Sequence, residues 1–388
     1  MNGVANLSLV ENSQLGEIAF IDLKAQQKQI RSRIEKRLGN ILDHGRYIAG
    51  PEIEEFEQAL ADWTGAAGAV ACGSGTAALI LPLLALGVTA GDAVFLPAFT
   101  YNATANAVLL AGATPVFVDV DPKTFNIDPD DLERRLSDVK EAGHLAPRAI
   151  IPVDIFGSPA DYPRLSEIAA REDLFLLADG AQSFGGAIGD RSVGNLAPVT
   201  AMSFFPGKAL GAYGDAGAVL TQDASLLETW RSIRWHGTDD MRKNSIRVGF
   251  NGRMDSMQAA VLLEKLAIAD EELDARRRIA AYFDDRLASV ARPQEHVRDA
   301  QSGCNYYSIR IDGRDGVAAR LKARGVPTAV YYATPLHKMP AFSDYAPDSG
   351  LPVTEALCTD ILSLPMHPYL TPDQMTYICD CVIASLGA

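Results

Sequence analysis

The architecture of this chain can be inferred outward from the segment Ser203-Phe-Phe-Pro-Gly-Lys208-Ala-Leu-Gly-Ala-Tyr-Gly-Asp-Ala-Gly217. A single lysine lies here among glycines and aromatic residues, directly after a short apolar run. Burial in an apolar loop lowers the pKa of an amine, which makes Lys208 a candidate nucleophile. A solvated loop lysine is the alternative, and without further context that alternative is favoured.

A carboxylate ends another apolar run, Leu174-Phe-Leu-Leu-Ala-Asp179. A buried carboxylate is costly unless a cation or a protonated ring nitrogen pairs with it. The pyridinium nitrogen of pyridoxal phosphate is such a partner, and a Schiff-base lysine is the other requirement of that cofactor. Lys208 and Asp179 together therefore predict a pyridoxal phosphate site, in which Gln182 could reach the phenolic oxygen of the ring.

Around these residues the sequence alternates between short apolar runs and helix-like segments, which favours an α/β domain with a mostly parallel sheet. In such sheets, ligands bind at the carboxyl ends of the strands. We predict strands at 68–72, 92–96, 115–119, 149–153, 174–178, 199–204 and 216–221. We predict intervening helices near 75–86, 102–111, 129–138, 161–171 and 225–234.

A possible phosphate site follows the first of these strands, at Gly73-Ser-Gly75-Thr76-Ala77. Backbone N–H groups at a helix start, together with the Thr76 hydroxyl, can bind a phosphate. An ordinary strand–turn–helix connection is the alternative. Ser203, at the end of its own strand, could donate to the same phosphate. Tyr101 could stack on a planar cofactor ring, and core packing is its alternative role.

The remainder of the chain predicts helices on both sides of this region. Residues 26–44 and 51–63 have helical periodicity, and one long helix is expected from Asp255 through Arg286. A smaller C-terminal α+β domain follows, with strands at 306–311 and 328–332 and helices at 315–323 and 352–360. We predict a flexible N-terminus (1–17), a large cofactor-binding domain (18–265) and a small C-terminal domain (266–388).

Composition excludes several classes of function. The 35 Lys and Arg against 49 Asp and Glu give a net charge of −14, which disfavours nucleic-acid and anionic-membrane partners. The five cysteines lack disulfide-framework spacing, and no His/Cys/Asp cluster has the spacing of a metal site. Because no signal peptide or transmembrane run is evident, we expect a cytoplasmic protein.

Several motifs recur together in one order: Gly-Ser-Gly-Thr-Ala-Ala, Asp-Gly-Ala-Gln-Ser-Phe-Gly, Ser-Phe-Phe-Pro-Gly-Lys and Tyr-Gly-Asp-Ala-Gly-Ala. Arg234-Trp-His-Gly and Val248-Gly-Phe-Asn251-Gly-Arg253-Met-Asp-Ser-Met-Gln-Ala-Ala follow. Together they resemble the DegT/DnrJ/EryC1/StrS family of pyridoxal phosphate-dependent nucleotide-sugar aminotransferases, over nearly the whole chain. The resemblance implies the type I aminotransferase fold, with helices on both faces of a mostly parallel seven-stranded sheet.

The resemblance also implies roles for individual residues. Lys208 is similar to the family's Schiff-base lysine and proton carrier, and Asp179 to the partner of the pyridine nitrogen. The remaining cofactor contacts that the resemblance implies are Gly75, Thr76, Ala77, Tyr101, Gln182, Ser203 and Asn251. In the family, the asparagine at the position of Asn251 reaches the phosphate from the neighbouring subunit, which implies a homodimer with shared sites.

The substrate side resembles aminotransferases that act on a UDP-3-keto-N-acetylglucosaminuronic acid. Arg253 is similar to an arginine that meets a sugar carboxylate there, with a structural ion pair as its alternative role. Tyr331 and Tyr332 stand where those relatives carry His-Tyr, and Asp154-Ile-Phe-Gly157 stands where the family commonly has His first. We expect both departures, and His337, to lie on substrate-side loops.

The implied reaction has two stages. L-glutamate would convert pyridoxal phosphate to pyridoxamine phosphate and leave as 2-oxoglutarate, and a keto group on a nucleotide-linked sugar would then take the amine. Such sugars serve surface polysaccharides or glycosylated metabolites. Two alternatives stay open: a sugar dehydratase of the same family, which typically has histidine in place of Lys208, and a non-catalytic cofactor-binding sensor or regulator.

Overall fold

The computed structural model describes residues 16–386 of the chain, and its centre is a seven-stranded sheet. The strand order is β1-β9-β8-β5-β4-β2-β3, and only β9 runs antiparallel to its two neighbours. Six strands therefore point their carboxyl ends to one edge. The strands are β1 (Gly68–Cys72), β2 (Asp92–Pro97), β3 (Thr114–Val118), β4 (Ala146–Ile150), β5 (Phe175–Asp179), β8 (Val199–Ser203) and β9 (Gly217–Thr221).

Helices cover both faces of this sheet because successive strand residues point to opposite sides. Val70 joins an apolar cluster with α3, α4 and α7, whereas Ala71 joins one with α2 and α8. The helices of this part are α1 (Leu23–His44), α2 (Pro51–Thr64), α3 (Gly75–Ala85), α4 (Ala103–Leu110), α5 (Pro129–Ala142), α6 (Tyr162–Glu172), α7 (Leu226–Ile233) and α8 (Ser256–Leu266). The predicted fold class is confirmed.

A second group of elements follows α8 and builds its own apolar cluster around Phe283, Ile309 and Leu364. The sheet order here is β10-β12-β13. Its elements are α9 (Ala269–Leu287), β10 (Arg292–Pro293), β12 (Tyr307–Arg310), α10 (Arg314–Ala323), α11 (Pro352–Asp360), β13 (Ile361–Leu364) and α12 (Pro372–Leu386). A small separate sheet joins β6 (Ala187–Ile188), β7 (Arg191–Ser192) and β11 (Ala300–Gln301).

Two predictions about these elements are wrong. The long helix from Asp255 is two helices, because α8 ends at Leu266 and Ile268 has a non-helical backbone (φ −118°, ψ 6°). A new acidic first turn begins there, which suits the N-terminus of a second helix. Residues 328–332 form only a single bridge, Ala329 to Ser363, instead of a strand.

Further expectations concern the N-terminus, the domain boundary, the cysteines and membrane-spanning helices. The flexible N-terminus predicted for 1–17 lies outside the described residues except for its last two positions. The domain boundary after residue 265 stays a prediction, and it falls near the end of α8. All five cysteines are buried and free. No helix within residues 16–386 is long and apolar enough to cross a membrane.

Candidate active site

The start of α3 and the end of β8 meet at the carboxyl edge of the sheet. A Cβ on Gly75 would lie 2.6 Å from the Cβ of Ser203, so only glycine allows this approach. The N–H groups of Gly75 and Thr76 belong to the first helical turn and have no hydrogen-bond partner within the described part of the chain. Two free amides and the hydroxyls of Thr76 and Ser203 thus surround a position suited to an anion.

Ala77 was predicted to contact the phosphate, but its backbone amide already has a partner within the protein. Its N–H donates to the Oγ of Ser74, 3.1 Å away, because Ser74 is the N-cap of α3. This amide is therefore already used in the protein's own cap. Its contact with a phosphate stays a prediction, and the structure supports Gly75 and Thr76 more strongly.

Asp179 is buried at the end of β5, and two donors hold its carboxylate. The Thr104 hydroxyl donates to Oδ2 over 2.8 Å, and the Ala181 N–H donates to Oδ1 over 3.2 Å. Burial raises the pKa of Asp179 above its ordinary value, while Thr104, Ala181 and the charge of Lys208 oppose that rise. A bound cation would complete the compensation of this buried charge.

Gln182 is oriented by the turn after β4. Its Oε1 accepts from the Phe156 N–H over 2.7 Å, which leaves Nε2 to donate to the Tyr332 hydroxyl over 3.0 Å. Phe156 has a left-handed backbone (φ 60°), so the turn is unusual for an aromatic residue. Gln182 and the predicted substrate residue Tyr332 are therefore brought into contact at the same edge as Asp179.

Lys208 lies in a tight turn in which its own N–H donates to the Phe205 carbonyl. Burial lowers the pKa of its amine to about 8, and the charge of Asp179 partly opposes this effect. No described residue lies within hydrogen-bond or ion-pair distance of Nζ, whose closest aromatic neighbour is the Tyr306 ring, 5.9 Å from its centroid. Burial without a partner among the described residues lowers the pKa of the amine and increases the share of its uncharged form, which a carbonyl-binding lysine requires.

Aromatic rings line one side of this amine. The Tyr306 and Tyr331 centroids are 4.6 Å apart, and those of Tyr101 and Tyr332 are 6.3 Å apart. Tyr101 is 59% exposed, which leaves its ring face free to stack on a ligand. The predicted residues Tyr101, Tyr331 and Tyr332 thus form one aromatic wall.

Three predicted residues lie outside this cluster in the single chain. Asn251 is exposed, and Arg253 lies over the Trp235 ring, 4.5 Å from its centroid. Arg253 lines a separate cavity of about 620 Å³ between α2, β1 and α7. His337 is buried, and its Nε2 lies 3.1 Å from the Oε1 of Glu355 on α11. Its predicted substrate contact is untested, and this burial argues against it.

Asp154 is expected on a substrate-side loop; that placement stays a prediction, and the burial of its side chain argues against a substrate contact. The residue is fully buried behind Gln182, and its carboxyl accepts from the Ala160 N–H, the Tyr162 hydroxyl and the Ser183 hydroxyl. Burial raises its pKa to about 7 against these donors. The position therefore supports the loop that carries Gln182.

Replacement of Asp154 by asparagine should flatten the pH dependence of folding. Because the folded-state pKa is above the ordinary 3.8, the stabilising contribution of Asp154 is complete below pH 4 and is lost as the pH rises to 7. The asparagine variant has no such loss. Its free energy of unfolding, measured relative to that of wild type, should therefore be about 2–4 kcal/mol higher at pH 7.5 than at pH 4.5. Urea unfolding at both pH values measures this, and an equal difference at both would contradict the raised pKa.

Some site residues were missed by sequence reasoning. Thr104 was not singled out, although it follows a strand whose carboxyl end shares an edge with Asp179. Tyr306 was assigned only to a strand, but it lies just before β12 and faces Lys208. The shared sheet edge could have indicated Thr104, whereas Tyr306 left no signal of this kind.

The sequence pattern of the DegT/DnrJ/EryC1/StrS aminotransferase family matches residues 28–383. The chain belongs to this family. The resemblance inferred from the motifs is therefore confirmed, and the match covers the predicted phosphate site, the lysine loop and the second group of elements.

Similar proteins agree with this assignment to the DegT/DnrJ/EryC1/StrS family. UDP-2-acetamido-2-deoxy-3-oxo-D-glucuronate aminotransferase of Pseudomonas aeruginosa is 44% identical over 93% of this chain and 98% of its own length. A solved family aminotransferase from Brucella abortus is 44% identical, with a TM-score of 0.94 over 96% of this chain and 100% of that chain. NtdA from Bacillus subtilis, solved with its cofactor PMP, is 28% identical, with a TM-score of 0.87 over 98% of this chain and 87% of that chain.

This member of the DegT/DnrJ/EryC1/StrS family is a pyridoxal phosphate-dependent aminotransferase. The residues present fit the cofactor. The free amides at the start of α3 could hold its phosphate, the buried Asp179 could pair with its ring nitrogen, and the unpartnered Nζ of Lys208 could take its aldehyde. The predicted type I aminotransferase fold and the predicted cofactor are confirmed.

Proposed function

We propose that this enzyme transfers the amino group of L-glutamate to a keto group on a nucleotide-linked sugar. The observation that carries the proposal is the buried amine of Lys208, which has a pKa lowered to about 8, has no partner among the described residues and interacts electrostatically with the buried carboxylate of Asp179. The 44% identical relative, whose name specifies a 3-oxo-glucuronate nucleotide sugar, supports the substrate class. The product would be an amino sugar for a surface polysaccharide or a glycosylated metabolite.

Each residue of the site has a separate proposed role, which its position determines. Pyridoxal phosphate, when bound, supplies an aldehyde that can carry an amino group and a ring that withdraws electrons. Gly75, Thr76 and Ser203 would bind the phosphate of the cofactor, and Asp179 would stabilise a positive charge at its ring nitrogen. Lys208 Nζ, with a pKa of about 8, accepts the proton from the carbon that bears the donor amine and returns a proton at the next step.

The substrate is expected to enter along the aromatic wall formed by Tyr101, Tyr331 and Tyr332. These rings line one face of the site and would offer hydroxyl groups to sugar oxygens. Arg253 would bind a sugar carboxylate if the substrate is a uronic acid, since a guanidinium binds carboxylates in a two-pronged geometry. Because the Arg253 side chain packs over the Trp235 ring and lines a separate cavity in one chain, we propose that it meets the substrate bound by a second subunit.

We further propose a homodimer in which each site is shared. Met241, Ile246 and Val248 are exposed on the segment before Asn251, and Val248 is 83% exposed. Such exposed apolar side chains mark an interaction surface. In the dimer, this segment would carry Asn251 to the phosphate bound by the other subunit.

Mixing two inactive variants tests the shared sites. We expect Lys208→Ala and Asn251→Asp homodimers each to be strongly impaired, the second because a carboxylate repels the phosphate. After subunit exchange, the mixed dimer has one site with both residues intact, so activity should return to about a quarter of wild type. Restoration that never exceeds the sum of the two variants would contradict sharing.

A panel of acceptors tests the substrate class. The purified enzyme would be incubated with L-[¹⁵N]glutamate and UDP-, dTDP- or GDP-linked 3-keto and 4-keto sugars, and products would be read by mass spectrometry. Incorporation of ¹⁵N into a nucleotide sugar is the expected result. Incorporation only into a keto acid without a nucleotide would contradict the proposed acceptor.

The sequence opposes the first alternative, and an experiment separates the second. Dehydratases of this family typically carry histidine where this chain has Lys208, and the lysine is the group suited to proton return. A sensor would bind the cofactor without turnover, so it should not convert pyridoxal phosphate to pyridoxamine phosphate with L-glutamate. Cytoplasmic location stays a prediction.

A further inference from the structure

The segment Gly303–Tyr306 crosses from the second group of elements into the active site. The Gly303 N–H donates to the Gly157 carbonyl, and the Tyr306 N–H donates to the Phe156 carbonyl. Gly157 has a φ of 111°, and a Cβ there would lie 2.9 Å from the Cys304 nitrogen. The segment is therefore packed tightly against the turn that orients Gln182.

Asn305, within this segment, reaches the lysine loop. Its side chain is 1% exposed, and its Oδ1 accepts from the Ala209 N–H over 2.8 Å. Ala209 follows Lys208 directly, and 96 residues separate it from Asn305. The asparagine thus links the catalytic loop to a distant part of the chain.

The other hydrogen bonds of the lysine turn are local. The Lys208 N–H bonds to Phe205 and the Ala212 N–H bonds to Phe204, both inside the loop itself. Within the described part of the chain, the Asn305 side chain supplies the one hydrogen bond that reaches the backbone of residues 206–211 from outside the loop. Its loss would leave the turn fixed only by its own local bonds.

The Nδ2 group of the Asn305 amide lies on the side of Tyr306. This Nδ2 is buried and interacts with the Tyr306 phenol, although no hydrogen-bond partner lies within 3.5 Å of it among the described residues. Burial raises the pKa of the neighbouring Tyr306 phenol, and the Asn305 amide partly opposes this rise. The centroid of the same Tyr306 ring lies 5.9 Å from Lys208 Nζ. The Asn305 amide therefore contacts a residue that borders the amine.

We propose that Asn305 is a positioning residue for Lys208, acting through the backbone of Ala209. The inference rests on the proposed role of Lys208 and not on the substrate. The charged group that shifts the pKa of the amine is Asp179 from β5, and the Tyr306 ring of the Asn305 segment lies 5.9 Å from Nζ. Substitution of Asn305 should therefore change the behaviour of the amine even when the fold is kept.

Two variants separate the tether from the polarity of the amide. Asn305→Ala removes the acceptor for the Ala209 N–H. Asn305→Asp keeps an acceptor of the same size but places a negative charge near the amine, which favours the ammonium form. Ser308→Ala is the matched control, since it removes a buried hydrogen bond to Ser363 in the adjoining strand and touches no site residue.

The first readout uses cofactor-free, full-length protein. Lys208 reactivity would be measured by trace labelling with acetic anhydride and peptide mass spectrometry across pH 6–10. We expect Asn305→Asp to lower the labelling rate at pH 7 by about 3- to 10-fold, with wild-type rates restored at high pH. Asn305→Ala, which releases the turn and admits water to the amine, should also lower labelling of Lys208 at pH 7 by about 3-fold or more. Unchanged labelling in Asn305→Ala would overturn the proposal.

The second readout is the single-turnover reaction of the cofactor-bound enzyme with L-glutamate. Asn305→Ala should lower the saturating rate about 10-fold while the half-saturating glutamate concentration changes less than about 2-fold. Asn305→Asp should recover within about 3-fold of wild type at high pH, and Ser308→Ala should match wild type. Equal losses in Asn305→Ala and Ser308→Ala would also overturn the proposal, since they indicate a merely structural role. Labelling needs no substrate, so failure of the proposed function would be recognised separately.

Discussion

Replacement of Lys208 by alanine should lower amino transfer by about a thousandfold or more. The variant would lose both the amine proposed to take the cofactor's aldehyde and the base proposed to move the proton. The fold should be retained, because Nζ makes no hydrogen bond or ion pair within residues 16–386. The visible absorbance of the lysine-bound cofactor should disappear, and steady-state ¹⁵N transfer from glutamate should fall to background.

Lys265 offers a matched control for this variant. It is another buried lysine, its pKa is also lowered to about 8 by burial, and its Nζ has no hydrogen-bond partner among the described residues. It packs over the Tyr213 ring, 4.5 Å from the centroid, instead of facing Asp179. Lys265→Met should keep both the absorbance and the activity. If the two variants lose activity equally, the loss reflects the burial of a lysine and not the chemistry of Lys208.

Replacement of Asp179 by asparagine should lower turnover by about 10²- to 10³-fold while the protein stays folded. The amide keeps one oxygen for the Ala181 N–H, and the Thr104 hydroxyl can rotate to accept from the new NH₂ group. What is lost is the negative charge that favours a protonated ring nitrogen. Steady-state kinetics and the pH dependence of the cofactor absorbance measure this effect.

Asp119 supplies the matched control for Asp179. It is also a buried carboxylate that directly follows a strand of the large sheet, and it accepts from the N–H groups of Val353 and Thr354 at the start of α11. Asp119→Asn should lower stability without changing the absorbance of the cofactor. Turnover by Asp179→Asn within a few-fold of wild type would contradict the assigned role of Asp179.

Much of the fold could be predicted because its signals are local. All seven strands of the large sheet appear as short apolar runs bounded by turns, and they were placed within a few residues. The break after Leu266 was missed because apolar spacing continues across it, although the acidic residues Asp270, Glu271 and Glu272 mark the new helix start. Residues 328–332 have strand-forming composition, but packing among Tyr306, Tyr331 and Tyr332 replaces the expected ladder.

The candidate site was predictable where chemistry coincides with a continuous motif. Lys208, Asp179, Thr76 and Ser203 all lie at or just after strand ends that the sheet brings to one edge. Thr104 and Asn305 act across 75 and 96 residues, so only the folded structure reveals their contacts.

The surroundings of His337 could not be predicted from the sequence. A histidine in a loop-like sequence carries no information about burial, and the fold places its ring against Glu355.

The role of Lys208 is tested most sharply by the cofactor's absorbance during a single turnover with L-glutamate, without any sugar acceptor. Wild type and Lys265→Met should convert the lysine-bound form near-completely to pyridoxamine phosphate, with one equivalent of 2-oxoglutarate released per site. Lys208→Ala, reconstituted with the cofactor, should show conversion slower by about a thousandfold or more. Conversion by Lys208→Ala at the wild-type rate would contradict the assignment of Lys208 as the proton carrier.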